Sequence, residues 1–516
     1  MSDFDTGFAG LLTQAARTDG DRLFARFNGI PLSVGALDRR SDAVAAELSR
    51  LGLRPGDRVA LMLRNSPAVL PTLFGLAKAG LVWVPINAQQ RGEGLRYILE
   101  HCDPRAILAE ADLVPVIAGC GADMAGRPLV LHGAADGEAG REAGALRLEP
   151  MLESGARFEG ALPGPDDDFA IMYTSGTTGR PKGALVTHRM MRLAGEAVAR
   201  VADAGDGDVM FVWEPLYHIG GAQMIVLPLI RPVSLAMVDR FSASRFWDQV
   251  REYGATHIHY LGGILQILLK QPPSAHDHDH PVRIAWGGGC PKETWTPFEE
   301  RFGVRIRECY GMTEASSITT CNDEGTVGAV GRPMPWFSVA LLDEQGAPVP
   351  PGARGEIVVR SHVPGALFAG YFRNPEATGR ALRDGALHTG DLGSLLPDGT
   401  LLFHGRMTDS MRCKGENVSA WEIEHIAATH PDVEDCAVIG VRAEVGEQDI
   451  KLFVKPKAGA AVDIPALSGW LAGQLAPYQN PRYIALVEEF ERTPSQRIMK
   501  HRLPPEVDRC WDRQRG

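Results

Sequence analysis

Between residues 57 and 86 the chain changes hydrophobic periodicity twice, and this alternation restricts its architecture more than any other feature. Asp57-Arg58-Val59-Ala60-Leu61-Met62-Leu63 reads as a strand, 68–79 as a helix, and Leu81-Val82-Trp83-Val84-Pro85-Ile86 as a second strand. Strand–helix–strand units of this kind lay helices on the faces of a mainly parallel sheet. Further strand-like runs occur at 106–108, 169–173, 209–213 and 283–286, and no repeat of solenoid period appears. The expected fold class is α/β, a large N-terminal body of layered α/β subdomains. At 516 residues the chain exceeds what one core organises, so a separate smaller domain is expected too.

The texture changes between about 325 and 405, where proline and glycine separate short β-like pieces such as Phe337-Ser338-Val339-Ala340-Leu341-Leu342 and Glu356-Ile357-Val358-Val359. That pattern predicts a small β subdomain. Beyond it, a helix is expected over 420–430 and strands over 436–441 and 450–454, an α+β arrangement. The division read from these signals is a body over 1–405, a junction at 406–409 and a C-terminal cap over 410–516.

The formal charge of -11 argues against nonspecific adhesion to nucleic acid or anionic lipid and leaves small phosphorylated ligands open. No basic, apolar leader and no stretch of membrane-spanning length is evident, so a cytoplasmic protein with no membrane partner is expected. Eight cysteines at 102, 120, 290, 309, 321, 413, 436 and 510 form no CxxC pair, which suggests neither a disulfide framework nor a zinc site. His276-Asp277-His278-Asp279-His280 has chelating residues but no spaced partner motif, and is read as a solvated loop.

The strongest chemical signal is Tyr173-Thr174-Ser175-Gly176-Thr177-Thr178-Gly179-Arg180-Pro181-Lys182-Gly183, directly after an apolar strand. Glycines let backbone approach a ligand, hydroxyls and main-chain donors surround phosphate oxygens, and Lys182 adds a positive charge. The spacing differs from the Walker pattern. Downstream, in order, stand Pro215-Leu216-Tyr217-His218, Gly287-Gly288-Gly289, Tyr310-Gly311-Met312-Thr313-Glu314, His388-Thr389-Gly390-Asp391, and Gly405-Arg406 with Asp409. With these motifs, nearly the whole chain resembles the adenylate-forming superfamily of acyl-CoA synthetases, luciferases and peptide-synthetase adenylation domains. Pro-Leu-Tyr-His-Ile-Gly-Gly and Lys-Gly-Glu-Asn-Val-Ser look like acyl-CoA ligases of the carnitine and crotonobetaine type.

The resemblance implies roles that also make physical sense. Thr174, Ser175, Gly176, Thr177, Thr178 and Lys182 would surround nucleotide phosphates, with Gly288 and Gly289 giving backbone approach. Tyr310 and Gly311 would form the platform for adenine, Thr313 would bond phosphate, and Glu314 would hold Mg2+. Asp391 would accept the ribose hydroxyls and Arg406 would contact ribose or phosphate. His218 would sit beside the acyl carboxylate as a gate, a satisfied buried histidine being the bland alternative. Trp213, His218, Gly262 and Gly263 would line the acyl pocket, the glycines making room for a bulky apolar or ring-containing acid or simply forming a turn. Asp409 matches the position about which the cap rotates. Arg412, Lys414 and Gly415 fall in the segment that then faces the active centre and admits coenzyme A, although Gly415 also suits an ordinary turn and the two cations also suit solvent.

One position departs from the family pattern, which carries a lysine near the C-terminus in Leu-Pro-x-Thr-x-x-Gly-Lys. In Phe490-Glu491-Arg492-Thr493-Pro494-Ser495-Gln496-Arg497-Ile498-Met499-Lys500 the lysine position holds Arg497, and Lys500 comes three residues later. An ammonium is a compact point charge, whereas a guanidinium is wide and planar. Loss of one well-placed donor in a charge-stabilising site costs roughly 3 kcal/mol. The expectation is a ligase that joins coenzyme A to a small carboxylate presented as its acyl-adenylate, releasing AMP, with a separate adenylating enzyme as partner. The alternatives are a complete ATP-dependent synthetase, in which Arg497 or Lys500 supports adenylation, and a catalytically silent nucleotide- and acyl-binding protein.

Overall fold

Alternate burial along short strands builds the core from both sides at once. Val59 and Leu61 enter one apolar cluster while Ala60 and Met62 enter another, and Trp83 parts in the same way from Val82 and Val84. This is the two-residue period of a strand buried on both faces. The computed structural model describes residues 6–133, 145–174, 180–261, 263–343, 345–407, 410–444, 447–491, 498 and 500–515.

Among the described residues, seven strands form one sheet in the order Leu146–Arg147, Leu129–His132, Ala106–Glu110, Arg58–Met62, Val82–Pro85, Asp168–Thr174 and Lys182–Thr187. All neighbours are parallel except the last pair, a hairpin whose connection carries the glycine- and threonine-rich motif. A nine-stranded sheet runs Arg332–Pro333, Thr320–Asn322, Arg305–Tyr310, Ile284–Gly288, His257–Leu261, Val209–Val212, Ser234–Met237, Leu23–Phe27 and Ile30–Ser33. Its middle is parallel from Arg305–Tyr310 through Leu23–Phe27.

Between the sheets lies the largest core, to which the helices Phe8–Asp19, Val34–Arg50, Val69–Lys78 and His188–Val201 contribute. Two of these helices start at side-chain caps, Ser33 accepting from Ala36 N and Thr187 from Met190 N, both at 3.2 Å. Every residue of Val69–Lys78 is buried, and its Lys78 ammonium is held by Asp38 and Asp42 at 2.6 Å each. The outer faces are covered by Gly92–Cys102 and Val114–Gly119 on one sheet, and by Phe246–Tyr253, Ile264–Leu269 and Lys292–Phe302 on the other.

An antiparallel sheet follows, built from Phe337–Leu342, Gly355–Ser361, Leu382–Arg383, Ala386–Leu395 and Leu401–Arg406. The C-terminal part has its own cores, with the hairpin Ser410–Cys413/Glu416–Ser419, the helices Ala420–Ala427 and Ile464–Gln474, and a four-stranded sheet. The architecture is the α/β class read from the sequence, a large N-terminal body with a smaller C-terminal domain. No described helix is long and apolar enough to cross a membrane.

The segment 276–280 is less solvated than its composition suggests. Asp277 pairs with Arg301 at 2.8 Å, and the His280 ring stacks on Trp247 with centroids 4.4 Å apart. The reason is Arg301, which also donates to the carbonyls of Leu269, Gln271 and Pro272 and gathers the loop around itself. His276 and Asp279 remain exposed, and the described residues contain no group of three or more His, Cys, Asp or Glu able to hold a metal.

Candidate active site

Four parallel strands lying side by side end at Val212, Leu261, Gly288 and Tyr310. The carboxyl edge of a parallel sheet leaves a crevice because the chain departs from it into loops. Trp213 and His218, Gly263, Gly289, and the Gly311–Glu314 turn all follow those strand ends, so one edge collects residues spread over a hundred positions of sequence.

At the nucleotide side, the Tyr310 hydroxyl donates to Asp391 Oδ2 at 2.7 Å, and Asp391 is paired in register with Arg406 across the neighbouring strand. Gly311 is dictated by close approach, since a Cβ there would lie 1.8 Å from the Ser317 carbonyl oxygen. Thr313 and Glu314 are buried in a single 3-10 turn. Glu314 accepts the Tyr371 hydroxyl at 2.7 Å, and the Lys182 ammonium stands 4.8 Å from the centre of the Tyr371 ring. Tyr371 itself bridges to Ala184, and the Thr174 hydroxyl donates to the Lys182 carbonyl at 3.4 Å. Thr174, Lys182, Glu314 and Tyr371 thus form one cluster at the mouth of the glycine- and threonine-rich connection. A single buried carboxylate suits Mg2+ shared with phosphate oxygens and water better than an all-protein cage.

Beneath the glycine run lies Glu308, which sequence reading passed over. Its carboxylate accepts from the Tyr260 hydroxyl at 2.6 Å and from the backbone N–H groups of Gly289 and Cys290. Burial pushes its pKa up to about 8, and these donors offset part of that rise. Glu308 therefore ties Gly288 and Gly289 to the strand that ends in Tyr310. Glu356 does similar service for the next motif, holding His388 Nδ1 at 2.8 Å and Gly390 N at 3.1 Å.

The cap meets this edge through its hairpin. Lys414 and Gly415 have φ of 53° and 79°, and Cys413 is paired with Glu416, a two-residue turn of the type that requires left-handed backbone at both central positions. Turn geometry alone accounts for glycine at 415. A Cβ there would meet nothing within 4 Å, so the tip also stands in open space. Glu416 reaches the body, where Oε2 bonds His218 Nε2 and Oε1 accepts the Tyr217 hydroxyl at 3.4 Å. Burial first and this carboxylate second raise the pKa of the Tyr217 phenol. Arg412 pairs with Glu447 at 3.2 Å, Glu447 also accepts Gly415 N at 3.3 Å, and Lys414 is exposed at the tip. The other end of the cap folds on itself, with Phe490, Ile498 and Leu503 in an apolar cluster with Ala437 and Phe453, and Lys500 paired with Glu424 at 2.7 Å.

At the acyl side, Trp213 donates its indole N–H to the His259 carbonyl at 2.9 Å and packs edge-on against Phe241, and Gly263 precedes the helix Ile264–Leu269. Glu214 and His259, both buried, bond to each other directly behind Trp213. The expected site residues Ser175, Gly176, Thr177, Thr178, Gly262, Asp409 and Arg497 lie outside the described residues. Tyr371, Glu308 and Glu416 were not assigned roles from sequence. Glu416 stood inside a motif already singled out, whereas the others become visible only through their partners.

Residues 12–372 match the AMP-binding enzyme family and residues 422–497 match the AMP-binding enzyme C-terminal domain. The chain is 32% identical over 491 residues to a crotonobetaine/carnitine–CoA ligase of Salmonella heidelberg (strain SL476), covering 91% of this chain and 92% of that protein. Its fold is similar to that of an amide bond synthetase from Marinactinospora thermotolerans, with a TM-score of 0.84, 23% identity and coverage of 96% and 98%. It is also similar to an o-succinylbenzoate CoA synthetase double mutant from Bacillus subtilis, with a TM-score of 0.83, 21% identity and coverage of 96% and 98%.

Proposed function

The chain belongs to the AMP-binding enzyme family, and from that premise we propose that it is an acyl-CoA ligase whose favoured step is transfer of an acyl group from acyl-adenylate to coenzyme A. The observation that carries this reading is the contact of cap residue Glu416 with His218 and Tyr217 of the body. Glu416 directly follows the Gly415 turn, while Ile498 and Lys500, which follow Arg497 in sequence, pack on the cap.

The chemistry asks little of acid–base groups. The thiol of coenzyme A gives its proton to solvent, its sulfur attacks the acyl carbonyl, the C–S bond forms, and the C–O bond to phosphate breaks with AMP leaving as a stable anion. Most of the acceleration comes from holding the reactants in line. Tyr310 and Asp391 would hold the nucleoside, Thr174, Lys182 and Thr313 the phosphate, and His218, oriented by Glu416, the carbonyl end of the acyl group. Glu314 would hold Mg2+, which supplies charge neutralisation at the phosphates.

Adenylation is the step that Arg497 weakens, because charge must be placed between carboxylate and α-phosphate by a group of the right width. A separate enzyme would then supply the acyl-adenylate. The second reading is a complete ATP-dependent ligase, favoured by the assembled Thr174–Lys182–Glu314–Tyr371 cluster and by the name of the 32% identical relative. Pyrophosphate exchange with ATP and a panel of acids, measured beside coenzyme A transfer to synthetic acyl-adenylates, separates them. Fast transfer with slow exchange supports the first reading and fast exchange the second. Neither activity would mean a silent binding protein.

A further inference from the structure

Behind Trp213 sits a pair that the transfer chemistry does not use. Glu214 and His259 are 1% and 2% exposed, and Glu214 Oε1 bonds His259 Nδ1. The second oxygen, Oε2, is buried with no hydrogen-bond partner among the described residues. The His259 ring lies on Trp286, centroids 4.1 Å apart. Taking a carboxylate and an imidazole out of water is expensive, and apolar side chains of similar volume would link these two strands at no greater cost. A merely structural account leaves the chemistry of the pair unexplained.

The location suggests what the pair reads. Glu214 immediately precedes the Pro215–His218 motif, and its backbone carbonyl is fixed by the Asn65 amide at 2.9 Å. Gly220, two residues beyond His218, has its absent Cβ 3.4 Å from Leu261 Cδ1 and 3.9 Å from His259 Cε1. Cε1 joins the two ring nitrogens, so the ring edge leading to Nε2 faces the helix start that carries His218. Glycine at 220 leaves that edge uncovered by a side chain. With Nδ1 committed to Glu214, the tautomer is set and Nε2 is the free valence of the ring, an acceptor when the ring is neutral and a donor when it is charged.

We infer that His259, held by Glu214, is a specificity-determining residue of the acyl pocket, and that it hydrogen-bonds a hydroxyl carried by the acyl group a few bonds from the reacting carbonyl. The inference rests on the acyl-transfer reading and deepens it, because a polar ring edge beside the start of the helix that follows His218 asks for a polar atom on the acyl group. A site built to bond a hydroxyl discriminates against the analogue lacking it far more strongly than an apolar pocket does, because its own polar group is left unpaired.

The test uses the full chain, coenzyme A and synthetic acyl-adenylates in matched pairs, each a hydroxylated acid and its deoxy counterpart, in one aliphatic and one aromatic series. In at least one series the unaltered chain should favour the hydroxylated member by about 10-fold or more in kcat/KM. His259→Asn keeps an N–H for Glu214 but has no atom at Nε2, and should bring that ratio to within about twofold, mainly through KM. Glu214→Gln still holds Nδ1 and should leave a reduced preference whose pH profile is altered. Equal use of both members by the unaltered chain overturns the inference without any variant, as does a preference that survives His259→Asn. Absence of thioester from every adenylate would instead remove the acyl-transfer reading, and this inference with it.

Discussion

The two ends of the cap make opposite contacts. Its first hairpin packs Met411, Cys413 and Val418 into the cap's core and also bonds the body through Glu416, whereas Ile498 joins Phe490 and Lys500 pairs with Glu424 within the cap. The hairpin carries motif residues of the family, and Arg497, which departs from the family pattern, lies in sequence between Glu491 and Ile498, outside the described residues. The difference teaches that two half-reactions can be altered separately when their groups sit at different ends of one domain.

That contrast can be broken most severely at the hairpin tip. Gly415→Leu combines a left-handed backbone position with bulk where the coenzyme A arm would pass, and should lower transfer from acyl-adenylate by about 100-fold while any pyrophosphate exchange is unchanged. Equal loss of both activities in a stopped-flow or discontinuous assay would mean that the tip serves no single step. Glu416→Ala removes the carboxylate that orients His218 and should lower transfer about 10-fold, again without affecting exchange. Arg412→Ala breaks a partly exposed pair with Glu447, and about a threefold rise in KM for coenzyme A is expected.

The smallest effect on the contrast belongs to Glu308, which lies in the body and should influence both half-reactions alike. Its folded pKa, about 8, exceeds that of an unfolded carboxyl, so the folded chain binds more protons between about pH 4.5 and pH 8. Stability therefore falls as pH rises through that window and levels off above it. Glu308→Gln should flatten this part of the melting-temperature profile. An unchanged slope would show that the carboxylate is ionised at little cost.

Much of the scaffold was legible in the sequence because period-2 and helical patterns are local. The strand expected at 81–86 is Val82–Pro85, and the helix expected over 420–430 is Ala420–Ala427, its last turn shortened where the chain turns toward Val433. Motif order also brought Tyr310 and Asp391 together in expectation, 81 positions apart in sequence and hydrogen-bonded in the structure. The supporting residues were not legible. Glu308 matters because Tyr260 and two backbone N–H groups converge on it, Tyr371 because a bridge to Ala184 carries it to Glu314 and Lys182, and Glu214 because His259 lies behind the same loop. Each depends on register between strands distant in sequence. Asp277 and His280 carry the same lesson, since a polar run became partly packed through one arginine on a distant helix.

The division of labour between the two ends of the cap is tested most directly by Arg497→Lys, with pyrophosphate exchange and coenzyme A transfer measured on the same preparation. A gain of about 100-fold in exchange, with transfer from acyl-adenylate within about twofold of the unaltered chain, is the predicted result. Exchange that is already fast with arginine and does not change with lysine would contradict the account.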